Sequence, residues 1–140
     1  MSVPRVVIDT NCLLQITGAH NRYNALFRRF VDKAFILCVS TEIMLEYEEI
    51  LWAKASPLAA IMFTQIIAYT RNVIHKDPYF RLGIITHDND DNKFVDCAFA
   101  CQADYIVTDD KHFDEAANSP FPQFKIISLD DFYDLMTEND

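Results

Sequence analysis

The sequence predicts an α/β protein in which a five-stranded parallel sheet is covered by helices on both faces. Five short apolar segments alternate along the chain with longer segments of helical periodicity. The short segments are apolar at successive positions rather than at every second one, which is typical of buried parallel strands. The 140 residues contain no internal repeat, linker or low-complexity tract, so we expect a single domain spanning residues 1–140.

The elements follow from these patterns in chain order. The predicted strands are Val3–Ile8, Phe35–Val39, the weaker Asn72–His75, Tyr105–Val107 and Lys125–Ile127. The predicted helices begin near Asn11, cover Thr41–Lys54 and Asn92–Gln102, and include a short one near Lys111. The segments Asp88–Asp91 and Asn118–Gln123 have the composition of loops.

Composition and charge exclude some functions and leave others open. The chain has only two glycines, Gly18 and Gly83, so it lacks a glycine-rich phosphate-binding loop. Its formal net charge of −9 is unusual for a nucleic-acid groove, which is normally basic. The carboxylates either form a solvated surface or converge on a metal site, where a divalent cation supplies the missing positive charge.

Four cysteines are present without any CxxC spacing, so buried free thiols are expected rather than a zinc site. Arg5 and Asp9 interrupt any apolar run at the N-terminus, which argues against a signal peptide. No segment approaches the roughly 20 apolar residues of a membrane span. These features predict a cytoplasmic protein that does not enter the membrane.

Polar side chains follow the first and fourth predicted strands. Asp9 comes directly after the first strand, and Thr108, Asp109 and Asp110 follow the fourth. Because the carboxyl ends of parallel strands share one edge of a sheet, we expect these side chains to lie close together. Taken alone, Asp9 fits a helix cap better than a metal ligand, although Thr10 and Asn11 can share the capping position.

The helix Thr41–Lys54 carries four glutamates. Helical periodicity places Glu42 and Glu49 well away from its apolar stripe, in solvent, whereas Glu46 and Glu48 flank the stripe on opposite sides. Either of the latter pair can face a cleft, and periodicity does not choose between them.

The helix Asn92–Gln102 begins beside another acid, Asp91, which lies on its inward face. An inward carboxylate is costly unless it is paired, metal-bound or used as an N-cap. Asp96 lies on the side of this helix and faces either solvent or the same cleft. Asp88 and Asp90 are expected to be loop carboxylates, and the four histidines show no grouping along the chain.

Taken together, four segments resemble a PIN domain, and more narrowly the bacterial subfamily assigned as toxins of toxin–antitoxin systems. They occur in order across almost the whole chain, at residues 6–11, 40–51, 90–98 and 103–113. The resemblance implies a three-layer α/β/α sandwich and an endoribonuclease that depends on Mg²⁺ or Mn²⁺ and leaves 5′-phosphate and 3′-hydroxyl ends. It also implies an RNA substrate, an antitoxin protein partner and, by analogy, a homodimer. Apolar residues for such a dimer lie on the second and third predicted helices, at Leu45, Leu58, Ile61 and residues 63–67.

The resemblance assigns individual residues. The catalytic and metal-binding acids of the family fall on Asp9, Glu46, Asp91 and Asp110. Secondary or positioning roles fall on Asn11, Asp96, Thr108 and Asp109. The family often has a small or basic residue where Asp109 stands, so Asp109 and Asp110 can exchange roles. Glu46 is thereby preferred over Glu48.

The expected mechanism has Asp9 and Asp91 holding the metal, while Glu46 and Asp110 complete the cage or position water. Carboxylates packed this closely repel one another without metal, so at least one is expected to have a raised pKa. Added metal is expected to stabilise the fold.

Other enzyme classes fit less well. A haloacid-dehalogenase phosphatase needs a second Asp where Asn11 stands, and a receiver domain needs an acceptor Asp where His75 and Lys76 stand. A PIN scaffold that binds RNA or protein with little turnover is the serious alternative. The RNA target is not specified by the sequence, and DNA cleavage stays open.

Overall fold

A computed structural model describes residues 3–86 and 88–138 of the chain. Its five strands are β1 (Arg5–Ile8), β2 (Ile36–Val39), β3 (Val73–His75), β4 (Tyr105–Val107) and β5 (Ile126–Ile127). All neighbouring strands pair in parallel, in the order β3-β2-β1-β4-β5. The predicted five-stranded parallel sheet is therefore confirmed.

Seven α-helices lie between and after these strands in the described part of the chain. They are α1 (Thr10–Thr17), α2 (Asn24–Val31), α3 (Thr41–Lys54), α4 (Pro57–Tyr69), α5 (Asn92–Cys101), α6 (Asp114–Ala117) and α7 (Leu129–Thr137). Two single 3₁₀ turns, at 89–91 and 111–113, precede α5 and α6. None of the described helices is long and apolar enough to cross a membrane.

The element ends differ from the predictions by one or two residues, for local reasons. The predicted first strand began at Val3, but Pro4 has no N–H to donate and pairing begins at Arg5. The second strand starts after Phe35, whose carbonyl accepts the side-chain amide of Asn72 instead of a strand bond. The predicted last residue of α5, Gln102, has a φ of 54° and ends the helix in the left-handed region.

The order of the strands reverses once along the chain. Strands β2 and β3 are added in turn on one side of β1, and the chain then crosses to the other side of β1, where β4 and β5 are added. Since parallel crossovers are right-handed, α1–α4 cover one face of the sheet while α5 and α6 cover the other. Helix α5 contacts β1, β2 and β4, and α7 contacts α2. The reversal places a crevice beyond the carboxyl ends of β1 and β4.

The interior holds one cluster of buried apolar side chains drawn from the strands and helices. All four cysteines are buried free thiols, as predicted, and the Sγ atoms of Cys97 and Cys101 are 3.9 Å apart. Tyr47, which is fully buried on α3, donates its hydroxyl to the carbonyl of Ile8 and so fixes α3 against the end of β1. This contact brings Glu46, the residue before Tyr47, to the carboxyl edge of the sheet.

Candidate active site

Asp9 directly follows β1 and lies at the crevice. It occupies the N-cap position of α1 but makes no capping bond with its side chain. Instead its Oδ2 accepts a hydrogen bond of 2.8 Å from the hydroxyl of Thr108, which follows β4. The residue is 7% exposed. The capping role, which is the one that Asp9 alone fits better in the sequence, is therefore not used. The carboxylate is instead held by Thr108, which follows β4.

The two acids after β4 point to different places. Asp109 accepts the backbone N–H of Leu129 at 3.0 Å and so ties the end of β4 to α7. Asp110 donates its own backbone N–H to the Thr108 hydroxyl at 3.0 Å and accepts the N–H of His112 at 2.9 Å. The charge of Asp110 acts on both Asp9 and Asp91. Of the two, Asp110 is the one that faces the other acids.

Asp91 lies in the 3₁₀ turn before α5 and faces inward. Its side chain is 14% exposed and makes no capping bond. The Oδ2 atom is enclosed and has no hydrogen-bond partner among the described residues. The Nδ1 atom of His112 lies 3.6 Å from it. A buried carboxylate oxygen without a donor is energetically costly.

The pKa values of these acids are shifted in the direction expected for carboxyl groups that lie close together. Burial, followed by the charges of Asp88, Asp110 and Asp9, raises the pKa of Asp91 to about 6. Burial also raises the pKa of Asp9, against the opposing effect of the Thr108 hydrogen bond. The expectation that at least one carboxyl has a raised pKa is confirmed. The metal-free site thus carries more negative charge than the fold favours.

Glu46 reaches the same crevice from α3. Its side chain is 23% exposed; Oε2 accepts the hydroxyl of Thr10, and Oε1 lies 2.8 Å from Lys93 Nζ. Its charge contributes to the raised pKa of Asp9. Glu48, which periodicity left as an equal candidate, is exposed. Glu46 is therefore the glutamate of this pair that lies beside the aspartates.

Sequence reasoning missed a histidine at this site. His112 Nδ1 lies 3.5 Å from Asp110 Oδ1 and 3.6 Å from Asp91 Oδ2. Ligand atoms of Asp88, Asp91 and His112 all lie within 4.8 Å of one another. His112 was not among the predicted site residues, because the tight turn after Asp110, rather than a periodic element, folds it back over the acids. Its spacing of two residues from Asp110 was the available signal.

A buried lysine was also missed. Lys93 stands between Asn92 and Phe94, both of which are buried, and its side chain is only 8% exposed. Its ammonium pairs with Glu46 and Asp90. A charged residue flanked by buried ones at the start of an inward-facing helix was a signal for such a pair.

Two secondary candidates, Asp96 and Asn11, make no hydrogen bond to the four acids within the described residues. Asp96 is buried rather than in solvent, and its Oδ1 accepts the backbone N–H of Leu82 at 3.0 Å. Burial raises its pKa, and the charges that act on it are those of Arg81 and Glu42, not Asp9. It lines a cavity of about 650 Å³ beside Lys93 and fastens the loop after β3. Asn11 is exposed on α1.

The expected dimer surface needs a partial correction. Leu45, Leu58 and Ile61 are exposed on α3 and α4, as a surface for a second subunit requires. Phe63 and Ile67 are instead buried in the core, because they lie on the face of α4 that packs inward.

Comparisons with known proteins were made for both the sequence and the fold. The sequence profile described as the PIN domain matches residues 5–112, a segment that contains all four predicted acids. No curated protein sequence matches the chain significantly.

Two solved structures have a similar fold. The structure of VapC20 from Mycobacterium tuberculosis, described as a sarcin–ricin loop cleaving toxin, has 15% identity and a TM-score of 0.58, covering 79% of this chain and 94% of that one. VapBC2 from Rickettsia felis, bound to a DNA fragment from its promoter, has 15% identity and a TM-score of 0.62, covering 89% of this chain and 98% of that one. The profile match spans most of the sequence and the sheet has the same architecture. The chain belongs to the PIN domain family.

Proposed function

We propose that this protein is a metal-dependent endoribonuclease that acts as the toxin of a toxin–antitoxin pair. The observation that carries the proposal is the enclosed Oδ2 of Asp91, which has no donor among the described residues and lies beside other acids. A bound cation would satisfy this oxygen and relieve the repulsion that raises the pKa of Asp91.

The donor set fits Mg²⁺ or Mn²⁺, because hard divalent cations prefer carboxylate oxygens. Asp9, Asp91 and Asp110 are the proposed ligands, with Asp88 and His112 at the rim. An imidazole ligand favours Mn²⁺ over Mg²⁺. When bound, the cation supplies positive charge that offsets the negative charge growing on the phosphate during hydrolysis.

The protein groups around the acids have supporting roles in this proposal. Thr108 donates to Asp9 and accepts from the backbone of Asp110, so one hydroxyl orients both acids. Glu46, held by Thr10, is proposed to position the attacking water. Asp109 is proposed to act through structure alone, because its carboxylate is used by α7.

The biological setting is proposed from the fold. VapC20 is described as a toxin that cleaves the sarcin–ricin loop, and VapBC2 as a protein bound to its promoter DNA. We accordingly propose an RNA substrate, an antitoxin protein as partner, a homodimer and action in the cytoplasm. The exposed apolar residues of α3 and α4 are the proposed dimer surface.

A matched pair of glutamate variants tests the proposed active site. Glu46→Gln is expected to slow RNA cleavage by roughly 10- to 100-fold, the scale of losing a group that supports a metal site. Glu48→Gln carries the same change on the exposed side of α3 and is expected to cleave like the wild type. Initial cleavage rates of a labelled RNA in Mn²⁺ give the comparison. Equal rates for the two variants would contradict the role given to Glu46.

Added Mn²⁺ is expected to raise the Tm of the wild-type protein near neutral pH. A ligand that binds only the folded state stabilises it by about 2.7 kcal/mol at a concentration 100 times its Kd. The gain should weaken below about pH 6, because protons compete with the cation for Asp91, whose pKa is raised to about 6. Thermal unfolding in Mn²⁺ and in a chelator provides the measurement. A Tm indifferent to millimolar Mn²⁺ and Mg²⁺ would contradict the metal site.

A second candidate is a PIN scaffold that binds RNA or protein with little turnover. The net charge of −9 disfavours contact with phosphates and so favours a protein as the bound partner. Expression of the chain alone separates the two. A nuclease toxin arrests growth, and Asp9→Asn relieves the arrest, whereas a binding module leaves growth unchanged or acts equally with either residue.

A further inference from the structure

Lys93 places a positive charge inside the acidic site. Its Nζ lies 2.8 Å from Glu46 Oε1 and 2.9 Å from Asp90 Oδ1, and donates to the carbonyl of Asp90 at 3.0 Å. The ammonium thus has three acceptors for its three hydrogens. With 8% of the side chain exposed, this cation is held in place rather than solvated.

The pairing determines how Glu46 is oriented. One of its oxygens faces Lys93 from α5, and the other accepts the hydroxyl of Thr10 from α1. Glu46 itself belongs to α3, so its carboxylate is fastened from two other helices. A carboxylate held at both oxygens keeps one geometry, which a group that positions water requires.

The pairing also determines where a cation can bind. Lys93 Nζ bridges Glu46 and Asp90, so it occupies the space where a divalent ion would otherwise join these two carboxylates. Among the described residues, no lysine or arginine pairs with Asp9 and no group donates to Asp91 Oδ2. The acids of the crevice are therefore divided into a pair neutralised by Lys93 and a group that has no lysine or arginine partner in the described part of the chain.

We propose that Lys93 is a positioning residue of the active site, which holds Glu46 in one orientation and directs the divalent cation to Asp9, Asp91 and Asp110. The proposal rests on the proposed nuclease function, because it assigns Lys93 a part in the same site. Removal of the Lys93 ammonium is expected to change cation affinity and catalysis in opposite directions. Without the ammonium the site attracts cations more strongly, yet Glu46 loses the orientation that catalysis needs.

The experiment compares Lys93→Met, Lys93→Arg and, as a control for net charge, Lys54→Met at the exposed end of α3. Calorimetric titration with Mn²⁺, in the absence of RNA, measures cation binding. Initial rates of cleavage of a labelled RNA, with both the RNA and Mn²⁺ at saturation, measure kcat. For Lys93→Met we expect Mn²⁺ to bind about tenfold more tightly, or with an additional equivalent, since a nearby positive charge is gone. We expect its kcat to fall by roughly 10- to 100-fold.

Lys93→Arg keeps the positive charge but replaces the compact ammonium with a planar guanidinium group, whose donors point in different directions. Its Mn²⁺ affinity should stay close to that of the wild type while kcat falls, and it keeps the test readable if Lys93→Met does not fold. Lys54→Met should match the wild type in both measurements.

The outcomes separate the two claims. If both Lys93 variants keep the Mn²⁺ affinity and the kcat of the wild type, the proposal is overturned. It is also overturned if Mn²⁺ affinity, kcat and Tm all fall together, because that result is expected of a lysine with a purely structural role. If the wild type binds Mn²⁺ but cuts no RNA, the proposed function fails. The calorimetric comparison then still decides whether Lys93 directs the cation.

Discussion

We expect the Asp91→Asn substitution to stabilise the metal-free protein near neutral pH while abolishing its response to Mn²⁺. Asp91 is enclosed, lacks a donor at Oδ2 and has its pKa raised to about 6 by burial and by neighbouring acids. An asparagine has nearly the same shape without the charge. The substitution therefore removes the unfavourable interaction and also removes a proposed ligand.

The sign and size of this effect follow from linkage. A carboxyl whose pKa is higher in the folded state binds its proton more tightly there, so stability is lost as pH rises from about 4 to about 6. A rise from 3.8 to about 6 corresponds to roughly 3 kcal/mol, and relaxation of the neighbours reduces what is measured to about 2 kcal/mol. The asparagine variant should show this advantage near pH 7 and little of it near pH 4.

Urea unfolding in a chelator measures the difference, and repetition with Mn²⁺ tests the metal response. Asp90→Asn is the matched control, and we expect it to destabilise the protein. Lys93 lowers the pKa of Asp90, so the negative charge is favourable at that position. An Asp91→Asn protein that is less stable than the wild type in the chelator would contradict the crowding argument. So would a variant that Mn²⁺ still stabilises fully.

The layout of the sheet was predictable because it depends on local patterns. Val6-Val7-Ile8 and the other apolar segments have no polar face to leave in water, which requires helices on both sides. The positions of Asp9 and Thr108 at one edge follow from parallel pairing alone, and the structure joins them by a hydrogen bond. The strand ends were less predictable, because single contacts such as that of Asn72 decide them.

The choice between Glu46 and Glu48 could not come from helical periodicity, because both flank the same stripe. Contacts from other helices, made by Thr10 and Lys93, distinguish them. His112 was missed for a related reason, since a turn rather than a periodic element carries it back to Asp91. Residues whose neighbours are distant in sequence are those that local patterns describe least well.

Asp9 is the residue whose loss should affect cleavage most. It is the acid held most centrally, at the end of β1 and bonded to Thr108 beyond β4. Asp9→Asn removes a charge but preserves shape and can still accept the Thr108 hydroxyl, so the fold should be retained. We expect cleavage to slow by roughly 100- to 1000-fold, the scale of losing one preorganised charged group at a reacting centre.

A suitable control is Asp104→Asn, the same change at the opposite edge of the sheet, where Asp104 accepts the backbone N–H of Arg5. It changes net charge equally and lies before β4 rather than after it. Circular dichroism of all three proteins establishes that each is folded before rates are compared.

The most direct test is cleavage of a panel of structured and single-stranded RNAs by the wild type, Asp9→Asn and Asp104→Asn, each in Mn²⁺ and in a chelator. The account predicts that the wild type and Asp104→Asn cut at least one RNA in Mn²⁺ and none in the chelator, while Asp9→Asn is nearly inactive. Equal cleavage by the wild type and Asp9→Asn, or cleavage that persists in the chelator, would contradict it.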